Sequence, residues 1–373
     1  KSFINGGWLF SVLALIFSLF VTLFCIRLLI ETRNKIGGSF SEIGQKTYGK
    51  CGKIMVDITL FGSQVGFVTA YIYFIASQTL LILQYQFNVD FVESKVKWYF
   101  FPLCFAIFYP LVLVRKIEVY AKFHVFGDVM IFVTIFIIIV YAAISDTNNG
   151  FEVDSSLKWF NAALWPDAIG FAVYSFEGVG VILPIYDITA DKTNYFKIVC
   201  YVCAFITLVY VLFAEFCLFT WYEPMALPNS GPLVTDYLPH TSWVCNITKI
   251  LFMGNLIVSY PLVIYPANIV IESYLYAGWP KSKKRQCLKN VNRAILVAFT
   301  CVLALLVYEK LDKFLSITGS LFCTPIAFIL PALFHYKACA DDTWSRRRDM
   351  TIVVGGVIIM IFCTIYAVLA WNA

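Results

Sequence analysis

Glu177 is the residue whose type and setting most demand a chemical explanation. It lies two or three residues from the midpoint of an apolar run, 164–185. An ionised group at bilayer depth costs several kcal/mol, so it needs a partner or a task. Its neighbours weaken a helix: Ser175, Gly178 and Gly180 surround it, Gly170 precedes and Pro184 follows. Non-helical backbone at mid-membrane is tolerated only where protein buries it or where it lines a cavity. A helix broken at 175–180 ends one half on free carbonyls. It starts the next half, from Val179, on free N–H groups. The positive end of that second half suits a substrate carboxylate. A carboxyl group beside it suits a site that takes up and releases a proton. The same Glu could instead hydrogen-bond the unpaired backbone of the break, and the two roles are compatible.

The elements that must position this site are membrane helices. Of 373 residues, 60% are apolar and only 14% are charged. Soluble domains carry about 25% charge, so too little is present here to cover a water-facing surface. Ten apolar runs reach or approach the ~20 residues a membrane helix needs: 9–30, 54–83, 99–114, 119–144, 164–185, 198–221, 244–275, 291–307, 311–334 and 350–371. None alternates with the period of two that a β-barrel strand requires. The chain therefore reads as one all-α, polytopic transmembrane domain over residues 1–373. The run at 99–114 is short and holds Pro102 and Pro110; those at 54–83 and 244–275 are long enough to tilt or to extend past the bilayer.

Charge placement gives the sidedness. Of 28 Lys and Arg, 19 fall in the loops 31–53, 115–122, 186–197, 276–290 and 335–349, and 6 on the opposite side. By the positive-inside rule the rich side is cytosolic. The formal charge of +5 is thus topology anchoring and no sign of a nucleic-acid partner. Arg27 stands near the cytosolic end of its run and can snorkel, and Asp57, Asp128 and Glu272 lie close to the cytosolic ends of theirs. Glu215 and Lys249, near the other face on successive runs, form a candidate structural ion pair. The three His residues, 124, 240 and 335, read as interface or loop positions. Most of the twelve Cys lie inside apolar runs, as small hydrophobes. No spacing suits a metal or another cofactor. Asn246-Ile-Thr248 is a sequon at the very start of a run, too near the bilayer for glycosylation.

Four stretches, in order along nearly the whole chain, resemble the amino acid/auxin permease family, in its proton-coupled and vacuolar amino acid transporter branch. Tyr174-Ser-Phe-Glu-Gly-Val-Gly-Val-Ile-Leu-Pro184 resembles that family's sixth helix and Gln64-Val-Gly-Phe-Val-Thr-Ala-Tyr71 its third. Ser259-Tyr-Pro-Leu-Val-Ile-Tyr-Pro266 resembles the eighth, and Phe314-Leu-Ser-Ile-Thr-Gly-Ser320 through His335 the tenth. The resemblance implies a LeuT-type inverted-repeat fold of the APC superfamily, with the ten runs as family helices two to eleven. Lys1-Ser-Phe-Ile-Asn-Gly-Gly7 resembles the stretch just after the family's first helix, so that helix would precede Lys1. The resemblance further implies substrate contacts from Ser175, Phe176, Glu177, Gly178 and Gly180 at the break. Gln64, Gly66 and Tyr71 would line the site from the third helix, with the Tyr71 phenol donating to a carboxylate. Ser316 and Ser320 would lie near a gate on the tenth helix. For Gly319 helix packing is the better reading. Proton coupling, with Glu177 as the carrier, comes from the resemblance alone.

The implied function is secondary active transport of an amino acid, with the proton as coupling ion and the bilayer as solvent. The competing class is a transporter-derived scaffold or sensor subunit of a larger membrane complex, to which a missing first helix would point. An intramembrane enzyme lacks support, since neither His-Glu-x-x-His nor Gly-x-Ser-x-Gly occurs. A channel would need a filter motif that is not present. Vacuole, lysosome and plasma membrane all remain open.

Overall fold

The computed structural model describes residues 2–88, 93–114, 117–149, 157–176, 178–226, 233–308 and 310–372. Among them every regular element is helical: α1 Ser2–Gly6, α2 Trp8–Ile36, α3 Phe40–Phe87, α4 Glu93–Val112, α5 Ile117–Asn149, α6 Trp165–Ser175, α7 Val179–Ile188, α8 Lys192–Ala226, α9 Trp243–Leu275, α10 Lys283–Leu306, α11 Leu311–Ile317, α12 Leu330–Ala338 and α13 Thr343–Leu369. Nine helical stretches among the described residues have the length and composition to cross a membrane, and Pro102–Val112 is a shorter apolar helix in the remaining run. Within lipid every backbone N–H and C=O needs a partner, and a helix supplies them along its whole length.

Two helices depart from the sequence reading. Residues 31–53 read as a loop, yet α3 already begins at Phe40 and bends at Tyr48 and Gly49. Gly49 has φ +66°, a conformation glycine adopts without strain, so the bend sits where the side chain is missing. Between α11 and α12 the helix continues as two π turns, Thr318–Cys323 and Pro325–Ile329. There the Thr324 N–H reaches back five residues to the Gly319 carbonyl, and its hydroxyl donates to the same oxygen at 3.1 Å. Pro325 has no N–H to offer, so the ordinary four-residue ladder is interrupted at that point. Single π turns are frequent at functional sites.

The chain divides into two compact units. The first comprises Lys1–Ser63, Val153–Ala226 and Asp312–Ala373; the second comprises Gln64–Glu152 and Leu227–Leu311. In the first, α2 packs on α6, α8 and α12, and α6 packs on the Thr318–Cys323 turn and α13. In the second, α5 runs along α9, and α4 packs on α9 and α10. Phe108 and Tyr260 stack there at 4.1 Å, and the Tyr260 hydroxyl pairs with that of Thr300 at 2.9 Å. In lipid such contacts hold helices together by close packing and hydrogen bonds, since the tails are as apolar as the side chains. All twelve cysteines are free, and seven of them are buried.

Candidate functional site

The expected break is present in the first unit. α6 ends at Ser175, and its capping residue Phe176 leaves the helical region with ψ 19°. α7 starts at Val179 behind Gly178, and among the described residues no side chain caps its first N–H groups. Ser175 returns its hydroxyl to the Phe171 carbonyl at 2.8 Å, and the Gly178 carbonyl takes the Val181 N–H at 3.0 Å. A methyl group placed on Gly178 would meet no atom within 4 Å, so there is open space beside Gly178. Gly180 lies in the first turn of α7. Glu177 itself lies outside the described residues.

Packing fixes α6 in place. Gly170 and Gly319 are in direct contact: a Cβ on Gly319 would collide with the Gly170 carbonyl. Gly319 thus serves helix packing, as the sequence suggests. One turn further toward the start of α6, Asp167 is 1% exposed. It accepts from Lys313 Nζ at 2.6 Å, from the Ser316 hydroxyl at 3.1 Å and from Asn5 Nδ2 at 3.4 Å. Ser316 is therefore engaged with α6. Ser320 donates to the Ser316 carbonyl at 2.9 Å and accepts from Thr364 at 2.9 Å. Both expected gate serines are buried, and their hydroxyls bond within the first unit.

Gln64 and Gly66 are buried in the part of α3 that belongs to the second unit, and Tyr71 is half-buried two turns on. Lys249, for which the sequence suggests Glu215 as partner, finds partners within its own unit: His240 Nδ1 at 2.8 Å, with Asp236 close by. In the first unit both Glu215 oxygens are buried with no hydrogen bond among the described residues. Glu272, close to the cytosolic end of its run, is paired with two cations. It is 7% exposed and sits between Lys289 at 2.6 Å and Arg293 at 3.0 Å. Arg293 also donates to the Val112 carbonyl at 2.7 Å. His335, expected at an interface, is 5% exposed. Its Nδ1 lies 2.6 Å from Asp349 and its Nε2 3.3 Å from Glu31. An apolar cleft of about 270 Å³ in the first unit is lined by Phe10, Ala14, Phe17, Ala172, Val173 and Phe328 among others, and offers no charge to a zwitterion. No group of three potential metal ligands occurs among the described residues.

Stacked apolar helices, one of them interrupted at mid-course, define a multi-pass integral membrane protein. The sequence model of the transmembrane amino acid transporter protein family matches residues 1–369, and the chain belongs to that family. It is 28% identical over 379 residues to vacuolar amino acid transporter 3 of Saccharomyces cerevisiae, covering 100% of this chain and 54% of that protein. With vacuolar amino acid transporter 3 of Schizosaccharomyces pombe it shares 29% identity over 365 residues, 98% of this chain and 54% of the relative. Amino acid transporter AVT3C of Arabidopsis thaliana is 27% identical over 388 residues, 96% of this chain and 84% of the relative. The chain thus spans about half the length of the two fungal relatives.

Proposed function

We propose that this chain is the membrane core of a secondary active amino acid transporter, working by alternating access and driven by a proton gradient. Ten spans in a LeuT-type inverted repeat would carry it, with α6 and α7 as the two halves of the broken sixth helix. The observation that carries this reading is the start of α7, whose first N–H groups no described side chain caps, with open space beside Gly178. Free N–H groups at a helix start bind a carboxylate, and every α-amino acid has one. Ser175, Phe176, Gly178 and Gly180 then border the bound carboxylate, and Glu177 takes the coupling proton. Asp167, Lys313 and Ser316 hold α6 at the angle this requires. The names of the fungal relatives favour the vacuolar membrane as its place.

The test is uptake of labelled amino acids into proteoliposomes holding the full-length protein under an imposed pH gradient. Gradient-driven accumulation is expected in the wild type and should be lost in Glu177→Gln, with exchange of pre-loaded substrate retained. Accumulation that persists undiminished in Glu177→Gln removes the proton role. Absence of uptake for every amino acid removes the transport reading.

A further inference from the structure

Within the second unit, the segment leading into α9 is held by a clasp that only a neutral histidine can complete. Lys249 is fully buried, and its Nζ lies 2.8 Å from His240 Nδ1. The His240 ring stacks on Tyr85 at the end of α3, with centroids 4.7 Å apart. Gln86 Nε2 donates to the His240 and Thr241 carbonyls at 3.2 and 2.7 Å, and Asn246 Nδ2 donates to the His240 carbonyl at 3.0 Å. Asp236 accepts from Gln78 Nε2 at 2.9 Å and from the Leu233 N–H at 3.2 Å. Residues on α3 and α9 thereby pin 233–242 at several points.

An ammonium donates and cannot accept. The Lys249–His240 bond therefore needs the lone pair on Nδ1, with the ring proton on Nε2. A second proton removes that lone pair and sets an imidazolium against an ammonium. Among the described residues the titratable groups around this pair include Asp236 on the same segment, Tyr85 on α3 and Cys245 on α9, which in turn lies near Tyr141 on α5. Buried acceptors without a donor stand in the same cluster: Gln78 Oε1, Thr235 Oγ1 and Asn246 Oδ1. They are available to an N–H that loses its present partner.

We propose that His240 is a proton-binding site on the membrane face opposite the basic loops, and that a proton there opens the clasp and frees 233–242. The proton comes from bulk water and ends on Nδ1, and Lys249 keeps its own. Burial, and after it the neighbouring Lys249, holds the imidazole below its ordinary value of 6.5. The clasped form thus binds fewer protons than the released form. It is complete above about 6.5 and weakens as pH falls from there toward the lowered value. Burial holds the Asp236 carboxyl above its usual range, against the bonds from Gln78 and Leu233 and the charge of Lys249. Its protonation acts in the opposite sense and favours the clasped form, so any release on acidification belongs to His240 and not to Asp236.

Hydrogen exchange followed by mass spectrometry on the full-length protein in lipid nanodiscs tests this directly, with or without transport. Corrected for chemical rate, residues 233–246 should lose protection between about pH 7.5 and 5, where an ordinary His titrates. His240→Gln, whose carbonyl still accepts from Lys249, should keep its protection at both values. Lys249→Met should lose it already at neutral pH. Unchanged wild-type protection on acidification, an equal loss in His240→Gln, or wild-type protection in Lys249→Met at neutral pH would each overturn the proposal.

Discussion

Asp167 shows what a single charge inside this fold requires. It is almost fully buried and takes three donors, of which only Lys313 carries charge. Removing one partner of a buried ion pair leaves the other uncompensated, at a cost of about 3–5 kcal/mol. Lys313→Met should therefore destabilise the purified protein by about that amount, read by thermal or denaturant unfolding in detergent. Asp167→Asn combined with Lys313→Met should recover much of the loss, because no bare charge remains and the amide oxygen still accepts from Ser316. A double variant as unstable as Lys313→Met would assign the cost to lost packing. The sequence does not mark this pair. Asp167 and Lys313 each fall within the first four residues of an apolar run, where a charge that snorkels and a charge that pairs look alike. The difference lies in which residue faces it, and here that residue is 146 positions away. Glu272 and His335 escape a linear reading for the same reason, whereas Glu177 stands out because its depth and its weakened surroundings are both local in sequence.

Elements were legible where the signal is local and hidden where it depends on register. Gly170, Ser175, Gly178 and Gly180 cluster within a few residues, and the helix duly parts between Ser175 and Val179. The π turns after Ile317 carry no such cluster. They arise because one extra residue enters a helical turn, and composition barely changes when that happens. Within the first of them Gly319 meets Gly170, so α6 lies directly on the turn. Gly319→Ala should force the two apart, since its methyl would meet the Gly170 backbone, which has no rotamer to yield with. Overpacking of this kind costs about 1–3 kcal/mol. Gly355 is the matched control on α13: a methyl there meets nothing within 4 Å. Gly355→Ala should be neutral or stabilising by up to about 1 kcal/mol, from helix propensity alone. Unfolding midpoints of the two variants, taken side by side, test the contact; equal midpoints would remove it.

At the scale of the whole molecule, the sequence already carries the sidedness, because the charge bias comes from short loops that no packing rearranges. The basic loops hold 19 of the 28 Lys and Arg, and translocating such clusters is disfavoured whatever the helices do between them. Cysteine chemistry can read this out without disturbing the fold. Of the twelve free cysteines only Cys51 and Cys287 are exposed, and each falls in a segment of the basic side, 31–53 and 276–290. The other ten are buried or half-buried, mostly among apolar side chains, where a charged reagent does not reach. A membrane-impermeant maleimide applied to sealed vesicles from the basic-loop face should therefore modify both, and from the opposite face neither. The Cys51→Ser, Cys287→Ser double variant should stay unmodified from either side until detergent is added. Labelling of one cysteine from each face would break the charge-based topology at an odd number of spans between them. It would then require either that the short helix Pro102–Val112 fails to cross, or that the two halves α6 and α7 do not together make one span.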